Sequence, residues 1–520
     1  MVTYSITQPQ TWGFSNSPYR FIYNLISASS SVTDLKFLGK INYIEDTTSI
    51  SPLAATISVT SSVAAELSIP LRPEGKGVLD CQLLKSKIQQ EVDPTAQLVQ
   101  RLDNYVRFNI TTGFECDPNR TFSNVSNVNG KVGLNINGGT SSFKIGDYIG
   151  IDLDYKFSNP LYDGYATISS FTSSIIVTTT NWGNTSSVTQ SGDVYYLKRY
   201  DTTLSDDFLV EGAVQYDNRS FDLSTLYVWN QTNWSNKRFL TGYPTNNELS
   251  SNTKKSFIDT YFNTGQYETI FFLTDRLGDF KNVIVNTYNS NGVVMATYSA
   301  TAWANGTIPT DTLLEVPSGA TSSSNSWRMF ELGIGAQQAY GIGVINNFDP
   351  PSLSEFFTGV KYYSFRFRNQ SNVLSAPIYR QVVCNPSVYV NKQILFKNLL
   401  GGWDYINFTE KNSKSITINK NNYKKPLDPT INIYSGNDLR QDTTINVKYT
   451  EEYRASTDWM TEDEYNYLNE LLTSEDVFIY EQDILRPIMI MDSRFEFKSY
   501  QNMDLFILSI VYKYGFDRLA

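Results

Sequence analysis

The longest apolar run in this 520-residue chain, LFILSIVY at 505–512, has only the length of a strand. No stretch approaches the roughly 18 residues that would cross a membrane as a helix. Apolar surface can therefore be buried only in short pieces separated by polar turns. The bulky residues supplied for the purpose are 35 Tyr and 30 Phe, which favour half-buried pleated surfaces. Ser, Thr and Asn fill the intervals. The pattern predicts many strands and few helices.

The strand signals group into modules. Residues 1–118 alternate strands such as 19–25 and 56–60 with the turn PLRPEGKG at 70–77. A short helix follows over 81–92, with Asp80 as its cap and Leu84 and Ile88 on one face. From 119 to 200 charge thins, and short strands (165–168, 174–178, 194–197) are split by turns such as Asp163-Gly164 and Ser191-Gly192-Asp193. That rhythm predicts a small β-barrel inserted into an N-terminal β-sandwich-like domain made of 1–118 and 201–245. Residues 246–385 read as a second Ig/fibronectin-like β-sandwich that closes on a hairpin, 361–367 with 376–383. Residues 386–520 read as a mixed β module with one helix over 461–473. There Thr461 and Glu464 form a capping box, and Tyr465, Leu468 and Leu472 share a face. In the strand 504–514 both alternating sets are apolar: Leu505, Ile507 and Val511 against Phe506, Leu508, Ile510 and Tyr512. Such a strand lies centrally in a sheet or beneath a neighbouring subunit.

Histidine is absent. This removes imidazole general acid–base catalysis, Ser–His and Cys–His nucleophiles and imidazole metal ligands. The three cysteines, Cys81, Cys116 and Cys384, match no zinc or CxxC spacing and read as buried thiols. A net charge of −10 repels phosphate backbones, and the one basic run, 420–425, reads as a short polar turn, so no nucleic-acid partner is expected. Met1-Val2-Thr3-Tyr4-Ser5 carries no signal-peptide pattern, which leads to the expectation of a chain made in a cytoplasm.

Several stretches imitate chemistry. Residues 333–343 contain GxG twice without the GxGxxG spacing or a βαβ context, and read as a loop or strand bend. Asp152 and Asp154 share a strand face. They could serve a carboxylate-based glycan-degrading enzyme, although charge that keeps a strand edge soluble explains them as well. Trp182, Trp229, Trp234 and Trp303 sit among Asn, Ser and Thr. They are either sugar platforms or core and interface aromatics. No P-loop, EF-hand, nucleophile elbow or zinc motif is present, and no cofactor or metal is expected.

The most informative stretch is NLLGGWDYINFTEKNSKSITIN, 398–419. It reads as strand, turn, strand. Gly401 and Gly402 permit a tight turn or a close backbone approach, while Trp403, Tyr405 and Phe408 supply apolar bulk. Asp404 has no Lys or His partner nearby, so packing is the chemistry expected there.

Three segments resemble virion proteins of tailed bacteriophages infecting Bacteroidota hosts. FKNLLGGWDYINFTEKNSKSITINKNNYKK (396–425) resembles a recurring segment in which a Gly-Gly-Trp-Asp turn leads to an aromatic strand and a basic hairpin. TDWMTEDEYNYLNELLTSEDVFIYEQDILRPIMIMDSRFEFKSYQNMDLFILSIVYKY (457–514) is similar to that family's closing module. IPLRPEGKGVLDCQLLKSKIQ (69–89) is similar to its N-terminal turn and short helix, with Cys81 as a minor departure. Region 119–200 falls outside the resemblance.

The resemblance implies a structural virion protein of the tail, baseplate or tail tip. Its implied partners are copies of itself in a ring and neighbouring tail proteins. It brings no catalytic residues. The residues expected to carry assembly are Gly401, Gly402, Trp403, Tyr405, Phe408, Leu505, Phe506, Ile507, Leu508, Ile510 and Tyr512. The alternative is a receptor-binding protein that recognises host surface glycans.

Overall fold

A computed structural model describes residues 2–9, 12–14, 16–17, 19–28, 32–48, 57–88, 92–101, 104–118, 120–153, 164–183, 190–210, 226–229, 234–242, 259–261, 266–274, 280–305, 312–316, 329–345, 352–383, 390–410, 412–424, 442–460, 462–491 and 506–515. The fold is mainly β, with several sheets and few helices. It divides into two units, Met1–Gln90 with Leu102–Ser224, and Glu91–Arg101 with Thr225–Ala520.

In the first unit, strict alternation lets two sheets share one interior. The strands Thr3–Thr7, Arg20–Ser27 and Lys76–Asp80 form one sheet. The strands Thr33–Thr48, Tyr105–Asp117 and Asp207–Val210 belong to the other. Tyr23, Phe37, Ile41, Leu79, Val106, Phe108, Ile110 and Leu209 fill the space between them, the interdigitated interior of a sandwich. The strand Gly192–Thr203 pairs with Tyr105–Asp117 and also begins a closed circuit. From it the ladder runs through Arg120–Val128, Lys131–Ile136, Ile175–Asn181, Gly164–Phe171 and Tyr148–Leu153, then back to Gly192–Thr203. The inserted barrel read from the sequence is thus a closed one, and closure leaves it no free edge. Phe122, Val125, Leu134, Ile149, Ile168 and Ile176 fill it. A buried Arg199–Asp147 pair, 2.8 Å from Nε to Oδ1, braces its wall.

In the second unit, a six-stranded sheet and a four-stranded sheet enclose a core of Trp229, Trp234, Phe272, Phe280, Val283, Phe365 and Phe367. One strand of the smaller sheet, Leu98–Gln100, comes from far earlier in the chain and pairs with Met329–Gly333. Arg101 beside it donates to the buried Glu331 at 2.6 Å. The expected hairpin is present as Tyr362–Asn369 against Ile378–Val383. Among the described residues the unit also holds a seven-stranded sheet, in the order Trp403–Phe408, Lys392–Lys397, Val477–Glu481, Ile484–Ile490, Ser509–Tyr514, Asp442–Ser456, Ser413–Lys424.

Four local readings change. The GxG stretch is not a loop: Ala336–Ile345 is an α-helix. Tertiary packing overrides its glycines, because Ala336, Ala339 and Ile342 are buried and a Cβ at Gly343 would stand 2.6 Å from Phe356. The helix expected over 461–473 is split into Glu462–Tyr467 and Asn469–Thr473; Thr461 of its capping box lies outside the described residues. The helix expected over 81–92 is a 3₁₀ turn, Gln82–Lys87, with Asp80 Oδ1 accepting from the Gln82 N–H at 3.1 Å. The basic run is not a turn: residues 420–424 are strand, held by register with residues 442–447 across the ladder. The strand expected at 495–500 and its hairpin at 501–503 lie outside the described residues.

Candidate assembly surfaces

The Gly-Gly-Trp-Asp corner is built around Asn398. Its Oδ1 accepts from the N–H groups of Leu400 and Gly402 at 2.9 and 3.0 Å. Its Nδ2 donates to the Leu240 carbonyl at 2.9 Å and to Asp404 at 2.6 Å. Gly401 has φ +82°, the left-handed region that glycine enters at no steric cost. Gly402 has a different reason: a Cβ there would stand 2.2 Å from the Leu240 carbonyl oxygen. Trp403, Tyr405 and Phe408 are all buried. The Trp403 ring meets Phe478 at 5.4 Å, and the Tyr405 hydroxyl shares a 2.7 Å hydrogen bond with Thr269.

Asp404 is a buried carboxylate that accepts hydrogen bonds from Asn398 and from the Tyr467 hydroxyl. Desolvation pushes its pKa up to about 6 against the pull of those bonds. Glu470 nearby accepts from the Leu399 N–H at 2.9 Å, and burial lifts it to about 7. The five corner residues named from sequence are therefore brought together, and inside the fold.

Beyond the corner the chain leaves the core. Ser413–Lys424 and Asp442–Ser456 pair along their length as an antiparallel ribbon. All twelve residues of the outgoing strand are exposed. Directly opposed residues share a face. One face carries Ile416, Ile418, Val447 and Tyr449, flanked by Lys414, Lys420 and Glu451; the other carries Ser415, Glu452, Thr417, Thr450, Asn419 and Lys448. The apolar face is continuous with the core side of the sheet, since Tyr453 lies opposite both Lys414 and Tyr512. Tyr453 stacks on Tyr512 at 5.5 Å. The alternation Ile445-x-Val447-x-Tyr449 signals this face in the sequence, and the sequence reading missed it.

The terminal strand is Ser509–Tyr514. Phe506, Leu508, Ile510 and Tyr512 are buried in the core with Leu468 and Leu471, whereas Ile507 is 41% exposed. Among the described residues, both-face burial is therefore not found there. Met489 and Met491 are also exposed nearby on the neighbouring strand and its end. Leu505 lies outside the described residues.

Of the tryptophans read as either sugar platforms or core aromatics, those described take the core alternative. Trp229 and Trp234 lie in the core of the second unit, 5.1 Å apart edge to face, and Trp182 packs against the barrel interior. The side chain of Trp303 lies outside the described part of the chain. Trp459, Phe171 and Tyr423 are exposed singly, whereas a group of tyrosines clusters on the outer wall of the barrel. Tyr148 and Tyr165 stack with centroids 5.3 Å apart and planes 3° from parallel. Tyr195 and Tyr196 meet the edge of Tyr165 at 5.8 and 5.9 Å. Gly150, between them on the central strand, leaves room for the Tyr195 ring, which would lie 2.6 Å from a Cβ there. The alternation Tyr148-x-Gly150 was the available signal.

Asp152 is exposed and opposite Asp193; Asp154 lies outside the described residues. Cys81 and Cys116 are buried free thiols. Among the described residues, no group of three or more Cys, Asp or Glu could hold a metal ion, and no helix is long and apolar enough to cross a membrane.

No family model matches the chain. No curated protein matches it either. Among solved structures, the native conformation of E. coli alpha-2-macroglobulin aligns at 8% identity over 88% of this chain and 38% of that one, with a TM-score of 0.13. At that score the likeness carries no argument about fold or function.

Proposed function

We propose that this chain is a structural protein of a tailed-bacteriophage virion, a tail, baseplate or tail-tip component. In this reading it assembles with copies of itself into a ring and with neighbouring tail proteins through β-rich surfaces. The observation that supports the reading is the ribbon of Ser413–Lys424 and Asp442–Ser456, exposed on its outgoing strand from end to end and apolar on one face. A two-stranded ribbon is marginal in water by itself, and long edge strands with exposed apolar side chains are ordinarily covered. A partner that covers it explains why the chain maintains it. The virion setting comes from the resemblance of 396–425 and 457–514 to phage virion segments. Two measurements test the reading together: sedimentation velocity of the full chain, and mass spectrometry of purified phage particles. Oligomers and presence in the particle are expected. A single-copy species at every concentration, absent from particles, overturns it.

A second reading, attachment to host surface glycans, has its own support in the tyrosine cluster on the barrel wall. Exposed aromatic rings with hydroxyl tips suit the apolar faces and hydroxyl groups of sugars. In this reading, binding of the full chain to arrayed glycans drops when Tyr148→Ala and Tyr165→Ala are combined, while its oligomeric state is unchanged. A binding pattern that these changes leave intact removes the reading.

A further inference from the structure

We infer that the ribbon joins copies of this chain head to tail: the outgoing strand Ser413–Lys424 of one copy adds, antiparallel, to the free edge of the returning strand Asp442–Ser456 of the next. The inference rests on the proposed oligomeric reading and names the joint that would build it.

Both edges of the ribbon offer a backbone ladder. The outgoing strand ends the seven-stranded sheet, with no strand beyond it among the described residues. The returning strand pairs with Ser509–Tyr514 only at Tyr453, Arg454, Ala455 and Ser456, so over residues 442–450 its second side has no ladder partner among the described residues. Copies related by rotation about an axis along the ribbon keep every ribbon pointing the same way. Each outgoing strand then lies beside a neighbour's returning strand, and the two run antiparallel, as the ladder requires.

Charge decides between this arrangement and a closed two-fold dimer. The outgoing strand carries three lysines, Lys414, Lys420 and Lys424, and no carboxylate. The returning strand carries Asp442, Glu451 and Glu452 against Lys448 and Arg454. Two-fold pairing of outgoing strands would set lysine against lysine on one face, and like charges opposed across a ladder destabilise it. Two-fold pairing of returning strands would leave the longer, basic edge unused. Head-to-tail pairing sets a basic strand against one whose acidic groups, Asp442, Glu451 and Glu452, lie at the two ends of the offered edge; Glu451 there also meets Lys414 of its own ribbon at 2.6 Å. This pairing also keeps the apolar faces on one side of the joined sheet, so that Ile416 and Ile418 neighbour Val447 and Tyr449 of the next copy. Aromatic and β-branched residues are favourable cross-strand neighbours.

The test uses full-length protein and two charge-reversed variants, one with Lys414→Glu, Lys420→Glu and Lys424→Glu, the other with Asp442→Lys, Glu451→Lys and Glu452→Lys. Assembly is read by mass photometry across a concentration series and by negative-stain microscopy. Each variant alone is expected to need a concentration at least ~10-fold higher for half assembly, equivalent to a tenfold weaker joint. An equimolar mixture of the two is expected to recover assembly, because each reversed edge then meets its complement on the other variant. Repulsion inside each ribbon persists in the mixture, so a defect confined to the ribbon's own fold would not be rescued. Wild-type protein that never leaves the single-copy state defeats the oligomeric reading itself. Wild-type rings with variants that assemble equally well leave that reading standing and overturn this joint. Closed dimers, or variants that fail alone and also fail when mixed, overturn it too.

Discussion

Two strands close in sequence, Trp403–Phe408 and Ser413–Lys424, stand at opposite ends of one sheet and have opposite fates. In the first, Trp403, Asp404, Tyr405 and Phe408 are buried, and Asp404 and Tyr405 are hydrogen-bonded to Asn398, Tyr467 and Thr269. In the second every residue is exposed. The first strand therefore contributes to the stability of the fold. The second contributes little to that stability and presents an edge and an apolar face to solvent. On the proposed reading, the contrast separates residues whose loss destabilises the fold from residues whose loss leaves it folded and weakens assembly.

Substitutions that sharpen the contrast fall in a steep order. Trp403→Ala empties a buried site against Phe478 and is expected to cost about 3–5 kcal/mol in urea-induced unfolding of the full chain. Gly402→Ala drives a methyl group into the Leu240 carbonyl and is expected to cost about 1–3 kcal/mol by the same measurement, as overpacking does. A cost below ~0.5 kcal/mol would mean that the corner relaxes freely, and would break the account of why glycine stands there.

The buried carboxylates give a smaller effect with a definite sign. Asp404 has its pKa raised from 3.8 to about 6 and Glu470 from 4.5 to about 7. The folded state therefore binds more protons than the unfolded state across that window. Their contribution to stability falls as pH rises from about 4 to about 7, is most unfavourable above it, and vanishes below it. Asp404→Asn is expected to flatten the stability–pH slope between about 4 and 6. An unchanged slope would show that this carboxylate is not held in the buried state.

The smallest effect on folding belongs to the ribbon. Ile416→Ser with Ile418→Ser is expected to change unfolding free energy by no more than about 0.5 kcal/mol, the range for surface positions, while reducing assembly in sedimentation. A large loss of stability would mean that the apolar face already packs within its own chain.

The corner was legible because each of its constraints is local: two glycines, three aromatics and an aspartate with no cation beside it read directly as a packed turn. The mainly β fold and the inserted barrel were legible from alternation and turn chemistry. The ribbon was legible only in part. Asn and Lys at 420–424 are weak strand formers, and the register with 442–447 that holds them extended is a non-local fact. The helix at Ala336–Ile345 was hidden for a similar reason, since its glycines are tolerated through contacts with Gln97 and Phe356. The tryptophans stayed open between sugar platforms and core aromatics, because polar neighbours in sequence say nothing about which way a ring points. The tyrosines of the barrel wall were overlooked because their grouping depends on three strands meeting.

The strand Leu98–Gln100 gives the molecule a timetable. It is synthesised in the middle of the first unit's sequence, yet the strand it pairs with, Met329–Gly333, and the carboxylate that neutralises Arg101 lie 230 positions downstream of that arginine. While the chain is being made, this strip and its cation must wait in water until the later sheet emerges. A fragment that stops at Ser224 keeps that strip permanently stranded.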